Sequence, residues 1–474
     1  MSSFTHGGND GALAAPLRRR EVGEMLTEEQ KMIGRRNFLK ALATLPAVGA
    51  FAFAARQKAA HERPVRAGII GTGSEGCVLL EQIGSIRPPV IEFKAAADIR
   101  PDNLKEGLDT ARKLWGAAPD AYPDDYRKVL QRDDIEAVVI ATPLWMHAPI
   151  TINALKAGKH VFVEKMMAWS IEDARKMAQA ARQANRILQV GHQRRANRLY
   201  ASVFNMIRQG LIGNVYHVRT LWHRNTQWRR DLADIEPDLK KMSPHFDPSK
   251  WGYDSLDQLV NWRLYRKCSQ GLMGELGSHM IDICSWILGA NPKRVLASGG
   301  KYRYIKDRQV YDHIFVTLDY PKGPVSPTGT TVTFTSIQTN KFDHYYEQFM
   351  GEKGTIIITG EVDVMLFSEE GSEKATAVEI KKTPAGQPMM QASASRAADA
   401  AGGAVAVGGA PEGGFDRMEP YGKELEVFCQ AIKFGTDVAC TPQDGLAATI
   451  PSVLANEAVA NGQPRDIDPK EYLV

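Results

Sequence analysis

Two stretches hold residue types able to move protons and to stabilise developing charge. "VFVEKMMAWS" (161–170) places Glu164 and Lys165 side by side at the carboxyl end of a β-rich run. In an open α/β sheet, ligands bind outside that edge, and a lysine there can hydrogen-bond a substrate oxygen as it becomes anionic. A lone lysine is otherwise an ordinary solvent-facing charge. "GELGSHMIDICSWILG" (274–289) carries Glu275, His279 and Asp282, whose spacing puts all three on one face of a helix. A histidine oriented by carboxylates is a candidate general base. The competing reading is a structural cap and salt-bridge cluster. One histidine is too few to argue for a metal centre, so none is expected.

A third stretch, Gly71-Thr72-Gly73-Ser74-Glu75-Gly76, matches G-x-G-x-x-G. Alone the pattern is weak. Here it follows a strand-like run and precedes a helical one, the context in which glycines let a backbone approach a pyrophosphate at a helix N-terminus. Asp98 follows at a strand end, 22 residues after Gly76. An acid there can bond ribose hydroxyls and favours NAD, whereas the nearby Arg100 would favour the 2′-phosphate of NADP. Thr142, Pro143 and His147 belong to the same neighbourhood, with His147 structural or near the cofactor. "WHRNTQWRR" (222–230) and "NWRLYRK" (261–267) offer Trp228 and Trp262 to stack on sugar faces, and Arg229 and Arg263 to bond hydroxyls; core packing is an equal alternative.

Short Val/Ile/Phe-rich runs at 65–71, 91–98, 135–142, 160–165 and 187–192 read as strands separated by helices. The clearest helix, 170–185, has Ser170 as cap with Asp173 as its box partner. This alternation predicts a doubly wound parallel sheet, a Rossmann domain over 61–192. Longer β runs at 213–225, 311–320, 329–338 and 354–368, interrupted by one helix at 271–289, predict an α+β domain over 193–420 with a large, mostly antiparallel open sheet. Residues 385–414, rich in Ala, Gly, Ser and Pro, read as a flexible insertion, and helices within 421–474 are expected to pack back on the core.

The 474 residues carry a net charge of only +4 and no basic block with interleaved aromatics, so nucleic acid is not an expected partner. Five scattered cysteines without CxxC spacing argue against a disulfide framework. Near the start, Arg35-Arg36-Asn37-Phe38-Leu39-Lys40 precedes an apolar run, Ala41 to Ala55, too short to span a bilayer, with small-residue cleavage options at Ala52-Phe53-Ala54 and Ala59-Ala60. Residues 1–60 resemble a twin-arginine signal, implying export to the periplasm and no transmembrane segment once the signal is removed.

Gly71–Gly76, Thr142-Pro143, Glu164-Lys165 and the Glu275…His279…Asp282 helix, in that order, resemble the Gfo/Idh/MocA oxidoreductases over roughly residues 64–370 and the terminal helices. The resemblance implies a Rossmann domain followed by an α/β domain whose open sheet covers the active site and often mediates oligomers. It implies a carbohydrate substrate and a dimer or tetramer; the cofactor, NAD with NADP as the alternative, is expected to be tightly bound because it would be loaded before export. Carried over by position, Lys165 is the lysine of a Glu-Lys-Pro motif, His279 the catalytic histidine, and Glu275 stands where many members have Asp. Met166 replaces the motif's proline, and the preceding peptide bond is expected to be trans because a non-proline cis bond costs about 3 kcal/mol. Three functions follow: oxidation of a sugar hydroxyl, with cofactor recycled in place by a second substrate; glycosidic cleavage by transient oxidation and elimination; or a non-catalytic cofactor-bearing binding protein.

Overall fold

The computed structural model describes residues 26–42, 63–369, 378–382, 388–392 and 416–474. Strands β1 (Val65–Ile70), β2 (Ile91–Ala97), β3 (Asp120–Tyr122), β4 (Ala137–Ile140), β5 (His160–Glu164) and β6 (Leu188–Gly191) form one parallel sheet in the order β3-β2-β1-β4-β5-β6. All four β4 residues are buried, as a strand covered by helices on both faces requires. The order reverses between β1 and β4, which opens a crevice at their carboxyl ends. Only β3, three residues long, had no signal in the sequence. The helix Ile171–Ala184 starts as expected: Ser170 Oγ accepts from the Asp173 N–H at 3.1 Å.

The second sheet has eight strands, ordered β13-β12-β11-β7-β10-β9-β8-β16. These are β7 (Val215–His223), β8 (Arg294–Gly300), β9 (His313–Tyr320), β10 (Thr330–Ile337), β11 (Tyr345–Gly351), β12 (Gly354–Thr359), β13 (Asp363–Ser368) and β16 (Arg465–Asp466). It is antiparallel except for β7 with β10. The run at 354–368 is a hairpin, β12 and β13, rather than one strand. One sheet face is buried by alternation, with Val218, Val316, Leu318, Val332 and Phe334 inward, while Tyr216, Leu296 and Phe315 on the other are exposed.

Helices Glu419–Phe434 and Pro442–Asn461 fold back as expected, the first against helix Ser74–Gly84, the second against Ile171–Ala184 and Ser278–Leu288. Within 385–414, Pro388–Ala392 (β15) pairs with Val378–Lys382 (β14), so part of the expected insertion is a regular hairpin; the rest lies outside the described residues.

The arginine pair lies on helix Glu28–Leu42, which packs on β13. Arg35 Nη2 sits 2.5 Å from Asp363, Asn37 donates to the Leu366 carbonyl, and Phe38 is buried. Most of the apolar run and both cleavage options lie outside the described residues. Among the described residues no helix is long and apolar enough to cross a membrane.

Candidate active site

A cleft of about 370 Å³ runs along the carboxyl ends of β1, β2, β4 and β5. Its lining includes Gly71, Gly73, Ser74 and Glu75. Gly71 has φ +92°, and a Cβ there would lie 2.4 Å from the Ala141 carbonyl oxygen. A Cβ on Gly76 would lie 2.2 Å from the Gly71 carbonyl oxygen. Both positions therefore demand glycine, one for the turn and one for close packing of helix on strand. Helix Ser74–Gly84 begins at Gly73 with no side-chain cap, leaving its first N–H groups for a ligand in the cleft.

Asp98 accepts from the Thr72 and Arg100 backbone N–H groups, each at 2.8 Å. Burial nonetheless pushes its carboxyl up from the ordinary range. Two bonds leave acceptor positions open for ribose hydroxyls. Arg100 lines the same cleft, but its guanidinium forks onto Asp102. These residues fit a dinucleotide, and the paired state of Arg100 suits NAD better than a 2′-phosphate.

The same lining includes Glu164, Lys165, Glu275, Trp262 and Arg263. Lys165 Nζ donates to the Glu275 carbonyl at 3.3 Å. Glu275 accepts from Arg263 Nε at 2.7 Å, and Arg263 covers the Trp262 ring, 4.4 Å from its centroid. Burial opposes ionisation of Glu275, but Arg263 and Lys165 hold its carboxyl below the ordinary range. His147 lines the cleft too, its ring between the Thr142 and Met166 carbonyls at 2.9 Å each.

The Lys165–Met166 bond is cis, which corrects the expectation of trans. Packing and hydrogen bonds on both sides, absent from the sequence argument, hold this segment. Glu164 Oε2 accepts from the Lys165 N–H, His147 meets the Met166 carbonyl, and Met166 is buried beside Leu144 and Val453.

The helical face expected for Glu275, His279 and Asp282 is also revised. Met273–Gly277 is a π-helical turn, wider than the 3.6-residue turn the spacing assumed, and the α-helix begins at Ser278. Glu275 faces the cleft. His279 is buried outside its lining, 5.8 Å between ring centroids from both Trp222 and His192. Burial, then Lys165, Arg194 and His192, holds the His279 ring well below its ordinary pKa, so it is neutral and able to accept a proton. Asp282 does not line the cleft: both its oxygens accept from Arg195 Nε, at 2.9 and 3.0 Å. It is engaged in a salt bridge rather than facing the cleft. His192, Asp282 and Cys440 bring potential ligand atoms within 4.8 Å of one another, but Arg195 already neutralises the carboxylate.

Trp228 and Arg229 do not line the cleft either. Arg229 is taken up by Asp257 and the Asp307 carbonyl, and Trp228 packs against the core. Their neighbour Arg230 does line it and donates to Ser74 Oγ at 2.8 Å. It stood in the same quoted stretch, and nothing in its spacing distinguished it from Arg229.

Residues 65–192 match the family model described as "Oxidoreductase family, NAD-binding Rossmann fold" of Gfo/Idh/MocA, and residues 205–467 match that family's C-terminal alpha/beta domain. The chain belongs to the Gfo/Idh/MocA family. Curated relatives of this Gfo/Idh/MocA protein include a "Glycosyl hydrolase family 109 protein" of Shewanella baltica, 31% identical over 36% of this chain and 37% of that one. An "Alpha-N-acetylgalactosaminidase" of Shewanella oneidensis is 30% identical over 35% of this chain and 36% of its own length. The matches thus span little more than a third of those relatives. Among solved structures, levoglucosan dehydrogenase in complex with NADH and levoglucosan is similar at TM-score 0.61 and 18% identity, covering 85% of this chain and all of that one. The aldose-aldose oxidoreductase of Caulobacter crescentus is similar at TM-score 0.59 and 19% identity, with the same coverage. At such identities the likeness is one of fold.

Proposed function

We propose that this protein oxidises a hydroxyl group of a sugar or sugar derivative with an NAD that it holds tightly and recycles in place. The observation that carries the reading is that one cleft is lined both by the glycine loop and Asp98 and by Lys165 and Glu275. When bound, the nicotinamide would supply the hydride acceptor. Lys165 would hydrogen-bond the substrate oxygen and stabilise it as an alkoxide. His279, held in its neutral form, would take the hydroxyl proton once its ring, buried outside the cleft lining, reaches the substrate. Trp262 and Arg263 would give the sugar an apolar face and a donor, while Arg263 keeps Glu275 ionised.

A second reading is favoured by the likeness to the family 109 glycosyl hydrolases: oxidation acidifies the neighbouring C–H, elimination breaks a glycosidic bond, water adds, and the hydride returns. No net redox occurs, so a retained cofactor suffices. Export by the twin-arginine route to the periplasm belongs to the same proposal, since that route carries folded, loaded proteins. The docked helix Glu28–Leu42 means that the arginine pair would have to leave β13 to be read. The exposed sheet face with Tyr216, Leu296 and Phe315 suits a homo-oligomeric contact.

The test is to denature the purified protein, identify released nucleotide by mass spectrometry, and then assay glycosides and sugar pairs without added cofactor. About one equivalent of NAD per chain is expected. Cleavage of a glycoside with no net NADH selects the second reading, and oxidation of one sugar coupled to reduction of another selects the first. Absence of nucleotide together with unchanged behaviour of Lys165→Ala and His279→Ala would leave the non-catalytic binding protein.

A further inference from the structure

Three carboxyl groups meet where the glycine loop, the end of β5 and helix Glu419–Phe434 pack together: Glu75, Glu164 and Glu424. Glu75 and Glu164 line the cleft; Glu424 lies beyond it and is wholly buried. Among the described residues, Glu75 Oε1, Glu164 Oε1 and both oxygens of Glu424 are buried without a hydrogen-bond partner. A buried carboxylate with no donor is costly, and neighbouring buried carboxyls cannot all ionise. The charged and titratable groups around them are few. Lys165, Arg263 and Glu275 face Glu75; Lys165 and Glu275 face Glu164; Tyr421 is within electrostatic reach of all three and of Glu361. Both cations are drawn to Glu275 as well, and neither is hydrogen-bonded to an oxygen of the trio. Burial pushes all three carboxyls above the ordinary range, Glu164 and Glu424 far above it.

We propose that Glu75, Glu164 and Glu424 form one proton-holding unit coupled to the charge of the bound nicotinamide, which gives up a proton when the cationic oxidised ring binds and takes one up when the ring is reduced. The proposal rests on the reading of the cleft as a dinucleotide site. Oxidation of CH–OH to C=O yields a hydride and a proton. The hydride's two electrons would cancel the ring's positive charge, and the proton released from the hydroxyl would end on a carboxylate of the trio. The net charge of a poorly solvated site is then the same before and after, which removes the cost of changing it. The return half-reaction reverses both transfers, so proton and hydride are lent together. This is what a cofactor that never leaves requires. The trio residues are positioning and proton-holding groups, with Glu424 acting only through the other two.

The experiment reads binding rather than turnover. The full-length protein is equilibrated with a fixed NAD⁺ to NADH ratio in excess at a series of pH values, and the released nucleotides are counted. Oxidised and reduced forms differ by one unit of ring charge, so the bound NAD⁺ to NADH ratio of the wild type should climb with pH by up to about tenfold per unit. Glu424→Gln and Glu75→Gln should flatten that climb, and retained nucleotide binding in either variant shows that it has folded. A bound ratio independent of pH in the wild type overturns the proposal, as does a climb that both variants retain. No bound nucleotide at any pH overturns the functional reading itself, and so is distinguishable from failure of the proton coupling alone.

Discussion

Two sets of buried carboxyls in this molecule are solved in opposite ways. In the C-terminal domain, Glu347 and Glu361 close on Arg194, with Nη1 to Glu347 at 2.5 Å and Nη2 to Glu361 at 2.8 Å, all three residues 1% exposed. Tyr200 adds its hydroxyl to Glu347 at 3.0 Å. Burial still pushes Glu347 up to about 7, against the pull of Arg194. Around the cleft, Glu75, Glu164 and Glu424 have orphan oxygens, as does Glu361 at Oε2, but no such fork. The first set is fixed by geometry and joins β11 and the β12–β13 turn to the segment after β6. The second keeps its protonation open beside the site where charge would change. A buried charge held in an arginine fork is architecture; one left without such a fork at a cleft is available for chemistry.

The comparison is most sharply broken at Arg194. Arg194→Leu strands two buried carboxylates, and unfolding in urea should show a loss of about 3–5 kcal/mol or failure to fold. Lys165→Met is next. It removes a cation that lines the cleft, and turnover should fall by about a hundredfold or more while nucleotide still binds, which separates catalysis from assembly. Asp98→Asn removes one acceptor oxygen and the charge, so NAD affinity measured by titration should weaken by about tenfold and the preference over NADP should shrink.

The smallest effect is the most diagnostic. Glu424 has its carboxyl raised by burial above the ordinary value of 4.5, so the folded state holds a proton that the unfolded state has lost above that pH. Its stabilising contribution is present at low pH and is lost as pH climbs through the raised value. Urea midpoints of the wild type between about pH 5 and about pH 8 should therefore decline, and Glu424→Gln, which mimics the protonated group, should flatten the decline at a cost below about 1 kcal/mol near neutrality. A Gln variant as damaging as Arg194→Leu would erase the distinction between the two sets.

Much of the Rossmann half was legible because its signals are local. Glycines at 71, 73 and 76, apolar strands and the Ser170 cap act within a few residues of themselves. The second sheet was legible only in outline. β8, at its sparsely buried edge, and β11 gave no signal in the sequence reading, and the hairpin at 354–368 hid its turn at Gly360–Val362. Lys165 and Glu275 could be named from their segments. The choice of Arg230 over Arg229 could not, because adjacent residues differ only in which neighbours, Ser74 or Asp257, are folded beside them.

The sequence by itself determined the order of the elements, the glycine cradle and the family, since all of these follow from residue type and short-range spacing. Only the tertiary structure decided that a π turn parts Glu275 from His279, that Asp282 answers to Arg195, and that the Lys165–Met166 peptide is cis. It alone brought Glu424, some 350 residues along the chain from Glu75, to the buried space behind the same cleft. Those outcomes depend on burial and on long-range partners, and no local pattern encodes which charges will share a low-dielectric space.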